Sequence, residues 1–160
     1  LRMALRRRDR IGALVLDAPA AIRPASARPS TGNAAERAKQ LYARPDRMPP
    51  LPEVDPAIQA KNGKMTGRLI GPPRDAALEA AMRDLDLPVL VLFGTHDRII
   101  VPEMGRHYKE ILPNCHLSFV YEAGHAIGAE RPEAYADLIE DFLTRREALV
   151  IPNRETALFP

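Results

Sequence analysis

The sequence predicts an α/β fold in which a parallel β-sheet is flanked by helices. Two nearly continuous apolar runs, residues 11–17 and 89–94, are typical of strands buried on both faces of a parallel sheet. A third apolar run at residues 116–121 predicts a third strand. Helical segments alternate with the strands, and this order needs crossover connections. The three strands are therefore expected to be parallel.

Apolar residues recur on one side of each predicted helix. The strongest pattern, at residues 132–146, comprises Tyr135, Leu138, Ile139, Phe142 and Leu143. A second pattern, at residues 75–85, comprises Leu78, Ala81, Met82 and Leu85. A third helix is expected at residues 102–112, because Pro102 suits a first helical turn and apolar residues follow at helical spacing. Residues 1–10 resemble a helix end with solvated arginines.

Residues 19–75 have a different character, because prolines interrupt them and no strong strand pattern occurs. Short helices are predicted at residues 34–43 and, from a weaker pattern, at residues 56–65. The segment retains apolar residues for packing, which favours an irregular insertion over a flexible linker. The chain is therefore divided into a core at 1–18 and 86–147, an insertion at 19–85, and a tail at 148–160 whose structure the sequence does not predict.

Composition excludes several classes of function. The chain has 160 residues, a net charge of +2 and 46% hydrophobic residues, so we expect a globular domain and no nucleic-acid partner. No apolar run is long enough to cross a membrane, and the first ten residues lack a secretory signal. The single cysteine, Cys115, excludes an internal disulfide and a cysteine-built zinc site, and favours a cytoplasmic setting. We expect no metal and no organic cofactor.

Two polar clusters follow the second and third predicted strands. One contains Gly94 and Asp97, and the other contains Gly124 and His125. Parallel strands bring their carboxyl ends to one edge of a sheet, so the carboxylate and the imidazole are expected within hydrogen-bond reach. A carboxylate that accepts from one ring nitrogen leaves the other nitrogen to act as a general base. The two glycines are expected to allow the sharp turns that these loops need.

Other residues are weaker candidates for the same chemistry. Asp17 ends the first strand and is a minority candidate for the acid, expected to lie farther from His125 than Asp97 does. Asp86 precedes its strand and therefore lies at the wrong end of the sheet. His96 is expected at the rim of the site. His107 and His116 are expected to be structural, and Cys115 precedes a strand, at the wrong edge for a nucleophile.

The segments PVLVLFGTHDRIIVP and VYEAGHAIGAERPEAYADLIEDFL resemble the C-terminal half of the α/β-hydrolase fold family. This resemblance implies that Asp97 is the catalytic acid and His125 the catalytic histidine. It also implies that DRIGALVLDAPAAI is the strand after the nucleophile's helix, and that the insertion occupies the place of the family's cap. A small-molecule substrate, such as an ester, is the expected partner.

The sequence departs from this family at the nucleophile, which normally lies in a G-x-S-x-G turn between a strand and a helix. Ser26, Ser30 and Ser118 are the only serines, and none lies in such a turn. The expected nucleophile therefore lies upstream of Leu1. It is either a serine or, as in related dehalogenases and epoxide hydrolases, an aspartate. The alternative is an inactive, truncated remnant that only binds an apolar ligand or a partner chain.

In the family that it resembles, the first predicted strand pairs with the strand that leads into the nucleophile. That neighbour is absent from the sequence. We therefore expect Ile11, Leu14, Val15 and Leu16 to border an open sheet edge, unless the tail or a second chain covers it. Long apolar edges pair with other chains, so self-association is expected.

Overall fold

Three parallel strands form the sheet, in the order β1 (Leu14–Asp17), β2 (Val89–Gly94) and β3 (Cys115–Val120). The structure, a computed structural model, describes residues 1–27 and 30–145. β2 lies in the middle, with Leu14 of β1 and Cys115 of β3 both opposite Val89. All six residues of β2 are buried. The predicted α/β class and the parallel sheet are confirmed.

Helices account for most of the remaining regular structure. They are α1 (Arg2–Arg6), α2 (Ala34–Leu41), α3 (Pro56–Leu69), α4 (Ala76–Arg83), α5 (Met104–Ile111), α6 (Ile127–Glu130) and α7 (Pro132–Arg145). Two 3₁₀ turns lie at Arg8–Arg10 and Pro45–Arg47. Side chains stabilise three helix starts by accepting backbone N–H groups: Asn33 at α2, Asp55 at α3 and Asp75 at α4. Within the described ranges, none of these helices has both the length and the apolarity to cross a membrane.

Side chains of β2 alternate between two apolar clusters, one on each face of the sheet. Val89, Val91 and Phe93 pack with buried residues of α4 and α5. Leu90 and Leu92 pack with Phe142 of α7, Val120 and Ile127. Since successive residues of a strand point to opposite faces, one fully apolar strand supplies both clusters. The sheet is thus a central layer between helices.

The first strand differs from its prediction in length and in burial. It begins at Leu14 rather than Ile11, since the pairing with β2 starts at Leu14 and Val89. Leu14, Val15 and Leu16 are half-buried and Asp17 is exposed. The expectation of burial on both faces is therefore wrong. The reason is position, because within the described part of the chain β1 pairs with β2 alone.

Smaller differences occur at other element ends. β3 begins at Cys115 and ends at Val120, one residue earlier than predicted at each end. Pro102 lies in a turn before α5 rather than inside the helix, since the Met104 and Gly105 amides donate to the carbonyls of Val101 and Pro102. The short α6 was not predicted. The tail at 148–160 lies outside the described residues, and the helix predicted to end at 146 is described to Arg145.

The insertion supplies α2, α3 and α4, and all three helices were predicted. Leu78 and Met82 of α4 are buried in the same cluster as Val89 and Phe93 of the sheet. By contrast, α3 has no buried residue. α4 thus packs as one of the helices that cover the sheet. The boundary at residue 85 between insertion and core stays a prediction.

Candidate active site

Asp97 is buried, and both of its carboxylate oxygens have hydrogen-bond partners. It lies in the loop after β2 and is only 4% exposed. Its Oδ1 atom accepts the backbone amides of Ile99 at 2.8 Å and Ile100 at 3.0 Å. These bonds occupy one oxygen and leave Oδ2 for a different partner. The carboxylate is thus fixed in orientation by its own loop.

His125 is that partner. Its Nδ1 atom lies 2.8 Å from Asp97 Oδ2, so the contact predicted between these residues is present. The hydrogen bond to Asp97 raises the pKa of His125, and desolvation opposes this effect in part. A carboxylate only accepts hydrogen bonds, so the bonded Nδ1 atom carries the proton. Nε2 of the neutral ring is then the nitrogen that can accept a proton.

Gly94 and Gly124 let the two loops approach each other. A β-carbon on Gly94 would lie 2.2 Å from the Gly124 carbonyl oxygen, and one on Gly124 would lie 2.5 Å from the Leu41 carbonyl oxygen. Neither glycine has a positive φ, so the left-handed conformation open to glycine is not what these two positions require. Glu122 provides the left-handed residue after β3, with φ 53°. The two glycines are required by close backbone packing instead.

The C-terminal end of α2 is bonded to both loops of the site. The Leu41 carbonyl accepts the His125 amide at 2.8 Å and the Ala126 amide at 3.2 Å. Arg98, next to Asp97, donates from Nη1 to the carbonyls of Lys39 at 2.7 Å and Tyr42 at 3.1 Å. These carbonyls belong to the end of a helix, where they have no partner within the helix. The insertion is therefore attached both to the loop after β2, which carries Asp97, and to the loop after β3, which carries His125.

Glu130 joins the same elements from the other side. Its Oε2 atom accepts the Gly124 amide at 2.6 Å, and Oε1 accepts the Arg44 amide at 3.0 Å. One carboxylate thus connects the residue before His125 to the segment after α2. Sequence reasoning missed Glu130 and Arg98, because both act on backbone groups that are distant in the chain. Adjacency to Asp97 was the only signal available for Arg98.

A cavity of about 250 Å³ opens beside His125. Its wall is mostly apolar, with contributions from the loop after β1, the loop after β2, α2 and α3. The lining residues are Ala18, Ala20, Arg23, Ala27, Ser30, Leu41, Thr66, Ile70, Ile99, Ile100 and His125. Sequence reasoning identified only His125 among them as a site residue. A concave, largely apolar pocket with a few polar groups suits a small organic ligand.

Asp17, the rival acid, lies at the end of β1 and interacts with Tyr135 of α7. Partial desolvation raises the pKa of Asp17, with a further contribution from the charge of Asp97. His125 bonds to Asp97, and no bond between His125 and Asp17 occurs in the described part of the chain. Asp86 precedes β2, at the end opposite Asp97, as expected.

The remaining histidines lie away from the bonded pair. His96 contacts Thr95 Oγ1 at 3.0 Å and the Tyr121 ring edge, on the exposed side of the loop. His107 faces Glu110 on α5, at 3.5 Å. The His116 ring packs on Phe142, and burial lowers its pKa. These positions agree with the structural roles expected for His107 and His116.

Neither Cys115 nor any of the serines lies in the strand–turn–helix position that a nucleophile of this fold would occupy. Cys115 is buried at the start of β3, and burial raises the pKa of its thiol to about 11. Ser118 lies within β3, and Ser26 is exposed in the loop after β1. Ser30 lines the cavity, with its Oγ atom buried and without a hydrogen-bond partner among the described groups.

Models of known protein families give no match to the chain. Curated proteins do match. The chain is 34% identical over 62 residues to the uncharacterized hydrolase YugF of Bacillus subtilis, which covers 39% of this chain and 23% of that protein. It is 38% identical over 73 residues to a pimeloyl-[acyl-carrier protein] methyl ester esterase of Neisseria meningitidis, covering 43% and 28%. The aligned segments thus span about a quarter of each relative.

The same architecture occurs in solved structures. A meta-cleavage product hydrolase from Pseudomonas fluorescens IP01 superimposes with a TM-score of 0.72 at 15% identity, over 90% of this chain and 60% of that one. At this identity the likeness concerns the fold. The sequence relatives are also hydrolases of the α/β fold. The chain therefore has the architecture of part of the α/β-hydrolase fold, and the proteins that it resembles in sequence are hydrolases of that fold.

Proposed function

We propose that Asp97 and His125 are the acid and the base of a hydrolase active site. The observation that carries this proposal is the 2.8 Å contact between His125 Nδ1 and Asp97 Oδ2. Burial and two backbone amides fix the carboxylate, and the raised pKa of His125 follows from that contact. The orientation leaves Nε2 to take a proton from the attacking group.

In the reaction, Nε2 of His125 accepts the proton of a nucleophile as that nucleophile attacks the substrate carbonyl carbon. Asp97 keeps the ring in the tautomer that can accept the proton, and its charge stabilises the imidazolium that forms. His125 then returns the proton to the leaving group. With an aspartate nucleophile, His125 would instead deprotonate the water that hydrolyses the covalent intermediate.

The nucleophile is proposed to come from polypeptide outside these 160 residues. None of the three serines lies in a strand–turn–helix position: Ser26 and Ser30 lie in the loop region after β1, and Ser118 is inside β3. The family's remaining catalytic requirement, donors for the developing oxyanion, is also expected in that polypeptide. Serine and aspartate both stay candidates.

The proposed substrates are esters or similar small molecules. The curated relative named as a methyl ester esterase supports this class. The cavity beside His125, of about 250 Å³ and largely apolar, supports a small acyl group. The single cysteine fits the cytoplasmic setting proposed for the activity.

The complete open reading frame that contains this sequence provides the test. An upstream strand followed by G-x-S-x-G, or by the aspartate equivalent, supports the proposal. The protein should then hydrolyse p-nitrophenyl esters of short acids. His125→Ala and Asp97→Asn should each lower kcat by about 10³-fold or more. The matched control, His107→Ala on α5, should retain wild-type activity.

Two results would contradict the proposal. One is a native start codon at the beginning of this sequence with no encoded nucleophile, which would favour the inactive remnant that only binds a ligand or partner chain. The other is full ester turnover by both His125→Ala and Asp97→Asn. The first result concerns the source of the nucleophile, and the second concerns the role of the pair.

A further inference from the structure

We propose that the cavity beside His125 selects substrates with a free carboxylate, which Arg23 recognises with help from Ser30. This inference rests on the proposed function for its reaction, and it names the class of substrate: small esters that carry an additional carboxylate. Arg23, Ser30 and His125 all line this cavity. The remaining wall consists mainly of alanine, leucine and isoleucine side chains.

Arg23 is a buried cation, only 6% exposed. It donates from Nη1 to the carbonyls of Ala20 at 2.9 Å and Ile70 at 3.3 Å, and from Nη2 to that of Gly71 at 2.6 Å. Carbonyl oxygens satisfy N–H groups without supplying a negative charge. Guanidinium carries five N–H bonds, so these three contacts leave donors for a ligand.

No carboxylate lies within 4 Å of Arg23 in residues 1–27 and 30–145. A buried charge without a counter-ion is costly, because desolvation is not offset by an opposite charge. A bound carboxylate would provide that charge and would match the planar fork of the guanidinium. Attachment of the loop to the end of α3 explains the contacts with the Ile70 and Gly71 carbonyls, but it does not explain why a cation is buried beside a cavity.

Ser30 provides a second, independent observation. Its Oγ atom is buried and has no hydrogen-bond partner among the described groups, and the residue lines the same cavity as Arg23. An unpaired buried hydroxyl loses free energy that a ligand acceptor would restore. A carboxylate has two acceptor oxygens, so one can face the guanidinium and the other the hydroxyl.

The loop that carries Arg23 is held in place before any ligand binds. The buried Tyr108 hydroxyl accepts the Ile22 amide at 2.7 Å and donates to the Pro19 carbonyl at 2.9 Å. The Arg23 amide donates to the Pro73 carbonyl at 3.2 Å. A charged group on a fixed loop loses little conformational entropy on binding, which favours affinity and selectivity.

Binding of two matched probes tests the inference. Hexanoate and hexanamide share a hydrocarbon chain and differ in charge. Isothermal titration calorimetry on the protein from the complete reading frame, at about pH 7.5, should show hexanoate binding at least about tenfold more tightly. Equal affinity for the two probes in the wild type would overturn the proposal.

Variants of Arg23 and Ser30 test whether these two residues cause the preference for hexanoate over hexanamide. Arg23→Met keeps the apolar stem and should reduce the preference for hexanoate below about twofold, whereas the control Arg68→Met, on the exposed side of α3, should retain it. Ser30→Ala should weaken hexanoate binding about threefold to tenfold and leave hexanamide unchanged. Ser30→Ala also serves if Arg23→Met fails to fold. A preference that survives in Arg23→Met, or an unchanged hexanoate affinity in Ser30→Ala, would overturn the assignment.

Among the described residues that line the cavity, His125 is the other one whose side chain can carry a positive charge, as an imidazolium. His125→Gln should retain the preference for hexanoate, and its loss there would place the anion at the imidazole and overturn the role of Arg23. The readout is binding, so it does not require hydrolysis. Retained preference without ester turnover would contradict the proposed function alone, and turnover without preference would contradict the subsite alone.

Discussion

Gly94 and Gly124 are in backbone contact, since a β-carbon on Gly94 would lie 2.2 Å from the Gly124 carbonyl oxygen. The same β-carbon would lie 2.3 Å from the Ala123 carbonyl oxygen. These atoms belong to backbone, which cannot swing aside as a flexible side chain can. The loop that carries Asp97 and the loop that carries His125 are therefore packed directly on each other.

Gly94→Ala should destabilise the fold by about 3 kcal/mol, because the added methyl group overlaps two carbonyl oxygens. The matched control is Gly63→Ala in α3, where an added β-carbon meets nothing within 4 Å. That variant should be stabilising by about 1 kcal/mol, because alanine favours the helix. Chemical denaturation curves of the two variants provide the measurement. A neutral Gly94→Ala would mean that the loops are farther apart than described.

Histidine titration should separate His125 from His116. The hydrogen bond to Asp97 raises the pKa of His125, and burial with the nearby Lys109 charge lowers that of His116. The NMR midpoints should therefore lie above and below about 6.5, the ordinary value. Asp97→Asn should move the His125 midpoint down and leave the His116 midpoint unchanged. The reverse order in the wild type would contradict the described environments.

The raised pKa of His125 also makes the stability of the fold depend on pH. Because the pKa of His125 is raised in the folded chain, its stabilising contribution is fully present below about pH 6.5 and is lost as the pH rises through the folded pKa. The difference in unfolding free energy between wild type and Asp97→Asn should accordingly be larger under mildly acidic conditions than under alkaline ones. Denaturation curves across this range, with His107→Ala as a background that keeps the pair, provide the test.

Glu130 should hold the histidine loop against the segment after α2. Glu130→Gln keeps the shape but replaces one acceptor oxygen with an NH2 donor, so the Gly124 and Arg44 amides can no longer both donate to this side chain. We expect a loss of about 1–3 kcal/mol and faster hydrogen exchange at these amides. Glu140→Gln, on the exposed face of α7, is the control and should change neither. Unchanged exchange at Gly124 in Glu130→Gln would show that the loop is held by other contacts.

The sequence was sufficient for features that depend on local pattern. β2 and α7 were predicted because apolar periodicity is strong where a strand is central or a helix covers a sheet. The approach of Asp97 and His125 was predicted because parallel strands end at one edge. The shorter, half-buried β1 was not, since its apolar residues resemble those of a central strand and its place at the edge is a property of the assembled sheet.

Long-range polar contacts were beyond such patterns. Arg98 and Glu130 bond to backbone groups of the insertion, and any residue type offers a backbone carbonyl or amide. The steric roles of Gly94 and Gly124 are similar, because they depend on what lies opposite rather than on the local conformation. The polar groups of the cavity, Arg23 and Ser30, lie in a region whose sequence suggested only an irregular insertion.

Self-association through the edge of β1 is a further expectation. Leu14, Val15 and Leu16 are half-buried, and one side of β1 has no strand partner in the described part of the chain. Light scattering after size-exclusion chromatography should show a mass that increases with concentration. Val15→Lys should lower that mass, because a charge at an edge opposes strand pairing. Phe119→Ser, on β3 at the other edge, is the control and should not. A constant 17.7 kDa species in the wild type would contradict this expectation.

The 160-residue chain by itself should not hydrolyse activated esters faster than free imidazole does. Asp97 and His125 can accept and return a proton, but without a nucleophile and oxyanion donors most of the rate enhancement has no source. A serine-directed fluorophosphonate, followed by mass spectrometry, should likewise leave the chain unlabelled. Ser30 makes this test informative, because its buried hydroxyl lines the same cavity as His125. Label at Ser30, lost in both Ser30→Ala and His125→Ala, would identify a nucleophile within this chain and contradict the proposed division of the site.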